Sequence, residues 1–124
     1  MKTLLILDDE HVVRQSFVDY FEDKSWRVVQ AETAEQALTM LKTEQPSAAL
    51  VDIRLPGIDG NMFIREVISQ ELKMAFIICS GSPSYNVPSD LQKHMNVSDT
   101  FFRKPVDNFE ALEQDVLQTI EMAC

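Results

Sequence analysis

Cysteine is nearly absent from this chain. Its two cysteines, Cys79 inside an apolar run and Cys124 at the end, supply neither a disulfide framework nor a zinc ligand set. Long apolar runs are missing too. The opening MKTLLIL starts like a signal peptide, but Asp8, Asp9 and Glu10 cut it short, and no stretch approaches membrane-spanning length. Basic residues are few, 11 against 20 acidic, and the net charge of −9 argues against nonspecific attraction to nucleic acid or an anionic membrane. Glycine is scarce, three in 124 residues. None follows the first apolar run, where a flavin-binding loop would need glycine or hydroxyl side chains; the DDEH found there would repel phosphate. What remains is an ordinary globular composition, 45% apolar and 25% charged, with one domain expected over 1–124 and the cytoplasm as the expected compartment.

The organising stretch is AALVDIRLPGIDG, Ala48 to Gly60. Ala48 to Val51 has no polar alternation, as expected of a strand buried on both faces of a parallel sheet. Pro56 and Gly57 stop it, and Asp59-Gly60 sits where the next helix is capped. Asp52 is thereby delivered to the C-terminal edge of a sheet, where open α/β folds bind ligands. An aspartate there serves as a metal ligand, a nucleophile, or both.

Read in order, Thr3 to Leu7 is a buried strand, and Glu10 to Lys24 is a helix with Val13, Phe17, Tyr20 and Phe21 facing inward. Trp26 to Ala31 reads as an edge strand, with Trp26 at the end of the sheet far from the site. Thr33-Ala-Glu-Gln36 is a capping box opening a helix with a stripe of Ala34, Ala37, Leu38 and Leu41. The helix after Gly60 turns Phe63, Ile64, Val67 and Ile68 inward. Ala75 to Cys79 is the fourth strand, followed by a proline-interrupted segment (Pro83, Pro88) with a short helix over Ser89 to Met95. Thr100 to Arg103 is the fifth strand. The last helix opens at Asp107, with Glu110 completing the cap, and buries Phe109, Leu112, Val116 and Ile120. Five strands alternating with five helices predict an α/β fold: a doubly wound, flavodoxin-like (βα)5 unit with a parallel five-stranded sheet in the order 2-1-3-4-5.

Four of the predicted strands end in residues able to do chemistry: Asp8-Asp9, Asp52, Ser80 and Lys104. In a parallel sheet these ends share one edge. Carboxylates ~4 Å apart repel by about 4 kcal/mol per pair at an effective dielectric of about 20. A hard divalent cation relieves that repulsion, and an all-oxygen site open to solvent suits Mg²⁺. Asp52 is a usable nucleophile toward phosphorus when metal and a cation neutralise the phosphoryl oxygens. Lys104 supplies that cation and Ser80 a hydroxyl donor, while Asp9 and, through water, Asp8 hold the metal opposite Asp52. Arg54, two residues after Asp52, and Ser82, two after Ser80, are expected over the path of a hydrolytic water. A long, permanently charged arginine there predicts a long-lived acyl phosphate.

The set LILDDE, VDIRLPGIDG, IICSG and FFRKP resembles the receiver domain of two-component response regulators, over essentially the whole chain. The resemblance implies that Asp52 is the phosphoacceptor, Asp8 and Asp9 the acidic pair, and the Arg54 carbonyl a further metal ligand. It makes Ser80 the switch hydroxyl, Lys104 the phosphate-sensing lysine and Phe101 the aromatic switch, with Lys104-Pro105 cis. Mg²⁺ is the implied cofactor. A sensor histidine kinase or phosphotransfer protein is the implied donor, and an output domain or effector protein the implied target; direct nucleic-acid and membrane binding are not expected. Such a domain catalyses only its own Mg²⁺-dependent phosphorylation and dephosphorylation. The sequence departs from the family in HMNVSDTFF, which replaces a small-residue turn before the fifth strand, and in Gly81 after the switch serine, where alanine is commoner.

Three other classes compete. An interaction module with this fold that works without phosphorylation has no use for the acidic set with Ser80 and Lys104. An aspartyl-nucleophile phosphohydrolase needs a second acid/base carboxylate and a substrate-covering cap, and the chain has no length for one. The flavin reading fails on DDEH. His11 reads as an exposed helix-start residue, His94 carries no signal, and Cys79 reads as core.

Overall fold

A computed structural model describes residues 2–82 and 84–123. Pro83, counted above among the helix breakers, and Cys124 lie outside the described residues.

The apolar runs form the strands expected of them. β1 (Thr3–Leu7), β2 (Arg27–Ala31), β3 (Ala48–Asp52), β4 (Ala75–Ser80) and β5 (Val97–Arg103) make one parallel sheet in the order β2-β1-β3-β4-β5. The pleat sends alternate side chains to opposite faces. Leu4, Ile6, Ala48, Leu50, Ala75 and Ile77 pack with Phe17, Val18 and Phe21 of α1 (His11–Asp23) and Leu112 and Val116 of α5 (Phe109–Ala123). Leu5, Leu7, Ala49, Val51, Phe76 and Ile78 pack on the other face. There they meet Ala34 and Ala37 of α2 (Ala34–Met40), Phe63, Ile64 and Val67 of α3 (Gly60–Ser69), and Leu91 of α4 (Ser89–Gln92). The central strands β3 and β4 are buried along their whole length, which is why their sequences show no alternation.

Local chemistry sets the element ends. Thr33 Oγ1 accepts from the Gln36 amide, while the Gln36 side chain accepts from the Glu32 amide rather than from that of Thr33. Asp59 Oδ1 accepts from the Met62 amide and caps α3. Gly60 starts that helix hard against the end of β3: a Cβ there would stand 2.3 Å from the Asp52 carbonyl oxygen. With glycine scarce, α1 and α3 run out into non-glycine residues of left-handed backbone, Ser25 at φ 70° and Glu71 at φ 58°.

Four expectations need correction. The cap of α5 is Asn108, whose Oδ1 accepts from the Ala111 amide, and the helix starts at Phe109 rather than at Asp107. β5 begins at Val97, three residues early: Ser98 turns its hydroxyl into Asp115 Oδ2 at 2.5 Å, which lets a polar stretch join the sheet across an irregular register. α4 spans only Ser89–Gln92, short of the expected Met95. The inner face of α1 is Arg14, Phe17, Val18 and Phe21, with Val13 and Tyr20 half-buried beside it. Trp26 lies just before β2, as expected at the far end of the sheet; its ring is buried edge-on to Phe21 and its Nε1 donates to Glu113.

Candidate functional site

The parallel sheet brings the C-terminal ends of β1, β3, β4 and β5 to one edge, and the residues predicted at those four strand ends meet there. Lys104 Nζ lies 2.7 Å from Asp8 Oδ2, 3.2 Å from Asp52 Oδ2 and 3.6 Å from Glu10 Oε1. Its side chain is buried with those of Asp8 and Asp52, and the Lys104–Pro105 bond is cis, as the resemblance implied. Asp9 is exposed at the mouth of the crevice. Asp8, Asp9, Glu10 and Asp52 each offer a carboxylate oxygen within 4.8 Å of the others. Four carboxylates against one ammonium leave excess negative charge in a small volume, and the all-oxygen donor set, buried on one side and wet on the other, fits a hard divalent cation.

The electrostatics follow from burial. Desolvation pushes the Asp52 carboxyl up to about 6 from 3.8; Lys104 pulls it down, and the charges of Asp8 and Asp9 push it up again. Burial alone would lower the Lys104 ammonium, but its hydrogen bond to Asp8 and the Asp52 charge carry it above its ordinary value. Asp52 is therefore ionised at neutral pH, held against a cation that stays charged. Cys79, beside Asp52 in register, is a core residue whose thiol burial pushes far up and out of reactive range.

Ser80 ends β4 fully buried. Its Oγ accepts from the Ser82 amide at 3.1 Å, and among the described residues its proton has no acceptor. Arg54 Nη2 donates to Ser82 Oγ at 3.4 Å, which brings together the two residues expected over the hydrolytic path. Phe101 stands apart from the carboxylates. It is half-buried, its ring 5.2 Å from that of Tyr85 and 5.1 Å beneath the Arg103 guanidinium, whose Nη1 also donates to the Ser82 carbonyl. Tyr85 is tied in turn to Asn61 of α3 at 2.7 Å.

Two residues of this corner were not singled out from sequence. Glu10 joins the carboxylate cluster, and the third acid of the DDE run was its only signal. Arg14 is buried under β1, and its Nη1 donates to the Asp8 carbonyl at 2.8 Å. The signal for it was an arginine standing first in an i, i+3, i+4, i+7 stripe otherwise made of Phe17, Val18 and Phe21. His11, exposed as expected, lies 3.2 Å from Arg14 Nη2 through Nδ1.

Comparison with known proteins agrees with this geometry. The family model for the response regulator receiver domain matches residues 4–116. The response regulator GtcR of Aneurinibacillus migulanus is 31% identical over 112 residues, covering 90% of this chain and 45% of that protein. The chain likewise spans about half, 51%, of the response regulator Rre1 of Synechocystis, at 29% identity over 93% of its own length. Among solved structures, the response regulator TrrA of Thermotoga maritima, crystallised in complex with Mg²⁺-BeF, superposes with a TM-score of 0.81 at 25% identity, covering 96% of this chain and 99% of that one.

Proposed function

The chain belongs to the response regulator receiver domain family and is a two-component signalling module, and from that premise we propose that Asp52 is its phosphoacceptor. The donor is a phosphohistidine on a sensor histidine kinase or phosphotransfer protein. The observation that carries the assignment is the buried triangle in which Lys104 Nζ stands between Asp8 at 2.7 Å and Asp52 at 3.2 Å, inside a cluster of four carboxylates.

An Asp52 carboxylate oxygen attacks phosphorus, the P–N bond to the donor imidazole breaks, and the nitrogen keeps the electron pair. Lys104 pairs with a phosphoryl oxygen as charge builds there, and Ser80 Oγ, whose proton has no acceptor among the described residues, donates to another. Asp8, Asp9 and Asp52, with the Arg54 carbonyl, would hold Mg²⁺, which neutralises the phosphoryl oxygens when bound. A groove whose apolar wall is Val13, Phe17, Pro105, Val106 and Phe109, with Glu10, Ser16 and Lys104 also lining it, supports a protein donor that lays a side chain into the crevice. The chemistry is confined to the domain's own phosphorylation and dephosphorylation.

The acyl phosphate draws in Ser80, and Phe101 turns inward as the Ser82 segment follows, because Arg103 ties that segment to the Phe101 ring. The output is an attached domain or a separate effector in the cytoplasm, and the receiver unit is the whole of 1–124. Among the described residues no helix is long and apolar enough to cross a membrane. Incubation with acetyl phosphate tests the reading. One hydroxylamine-labile phosphoryl group should appear with Mg²⁺ and be lost with chelator or with Asp52→Asn. Uptake that survives Asp52→Asn would refute the assignment, and no uptake at all would favour a phosphorylation-independent interaction module.

A further inference from the structure

Arg14 is an odd residue for its place. It is 5% exposed on the core face of α1, where its stripe neighbours are Phe17, Val18 and Phe21. Filling space would need only another apolar side chain, yet the guanidinium is spread across the corner of the sheet. Nη1 donates to the Asp8 carbonyl at 2.8 Å, Nε donates to Gln30 Oε1 at 3.0 Å, and Nη2 donates to Glu32 Oε1 at 3.3 Å beside His11 Nδ1.

The Asp8 carbonyl matters because the sheet ladder ends at Leu7. Every other polar group of Asp8 is tied: the amide donates to the Ala31 carbonyl, Oδ1 accepts from the Glu10 amide, and Oδ2 accepts from Lys104. The carbonyl, past the last strand partner, is held by Arg14. That carbonyl belongs to the Asp8–Asp9 peptide, whose plane sets the direction in which Asp9 leaves the chain. Asp9 has no side-chain hydrogen bond of its own among the described residues, so its aim depends on that plane.

We infer that Arg14 is a positioning residue for the metal carboxylates, locking the Asp8–Asp9 peptide so that Asp9 faces Asp52 before any cation arrives. The inference rests on the Mg²⁺ site described above. Carboxylates held ready lose less freedom on binding, and supporting groups of this kind are worth about tenfold or more in metal affinity.

Titration of the full chain with Mg²⁺ alone, followed by calorimetry, tests it, with thermal melts in chelator to show that each variant is folded. Arg14→Met should weaken Mg²⁺ binding about tenfold. Arg14→Lys, which can still reach the Asp8 carbonyl, should recover a large part of that loss. Gln30→Leu removes the Nε anchor and should weaken binding in the same direction by a smaller factor than Arg14→Met, so it carries the test if Arg14→Met does not fold. Mg²⁺ affinity equal to wild type in Gln30→Leu and in a folded arginine variant, with only the melting temperature lowered, would overturn the inference. Asp9→Ala is the parallel control: wild-type affinity in that variant would mean that the metal site itself is misassigned, independently of Arg14.

Discussion

Removing the buried Asp52 charge should make the metal-free protein more stable. The Asp52 carboxyl is raised from 3.8 to about 6, first by desolvation and then by Asp8 and Asp9, with Lys104 opposing. An acid whose folded pKa lies above its unfolded value costs nothing below pH 3.8, where both states are protonated. Stability falls as pH rises through that interval, and the cost is complete above pH 6. The gap of roughly 2 units corresponds to about 3 kcal/mol at 1.36 kcal/mol per unit. Asp9 and Glu10 leave the crevice mouth open to water, and screening trims the figure to about 1–2 kcal/mol. Asn keeps an acceptor oxygen for Lys104, which also retains Asp8 at 2.7 Å. In chelator at pH 8, Asp52→Asn should therefore raise Tm by about 3–8 °C for a domain of this size. The gain should shrink steadily toward pH 4. Urea or thermal melts of both proteins across that range decide it. An Asn variant less stable than wild type at pH 8, or a gain independent of pH, would show that burying the Asp52 charge beside Asp8 and Asp9 carries no such cost.

Other expectations bear on the rest of the switch. Arg54→Asn combined with Ser82→Glu breaks the 3.4 Å contact between these side chains and should speed loss of the acyl phosphate several-fold, or about 1 kcal/mol in barrier, with Mg²⁺ affinity nearly unchanged; equal decay rates would leave both side chains without a part in its lifetime. Trp26, buried against Phe21 and Glu113 at the far end of the sheet, should report almost no change in fluorescence on Mg²⁺ addition, and a large saturable quench would reveal long-range coupling. Hydrogen exchange over 84–95 should change when beryllofluoride is added with Mg²⁺, because Tyr85 joins Phe101 to Asn61; identical protection in both states would remove the proposed switch.

The sheet and the core of the site were legible because each rests on a rule with one solution. Short apolar runs without alternation, bounded by turn residues and alternating with helical stripes, fit buried parallel strands, and parallel strands end on one edge, so Asp8, Asp52, Ser80 and Lys104 converge whatever the loops do. Two of the misread parts are places where a polar side chain goes inward. Arg14 was passed over in favour of Val13 because pattern reading seeks apolar residues, although 14-17-18-21 is the better helical stripe. Ser98 hid the start of β5 because its partner, Asp115, is supplied by another helix. Asp107 and Asn108 are both good caps side by side, and only the folded chain shows that Asn108 is used. Phe101 and its links to Tyr85 and Arg103 depend on loop packing that no local period encodes.

The most direct test is to locate the phosphoryl group. After acetyl phosphate and Mg²⁺, borohydride reduction converts an aspartyl phosphate to homoserine, and peptide mass spectrometry reads its position. Homoserine should appear at position 52 and nowhere else, and none should form in chelator. Phosphate found instead on Ser80, Ser82 or His11, or homoserine at Asp8 or Asp9, would contradict the assignment of Asp52 as the group that receives the signal.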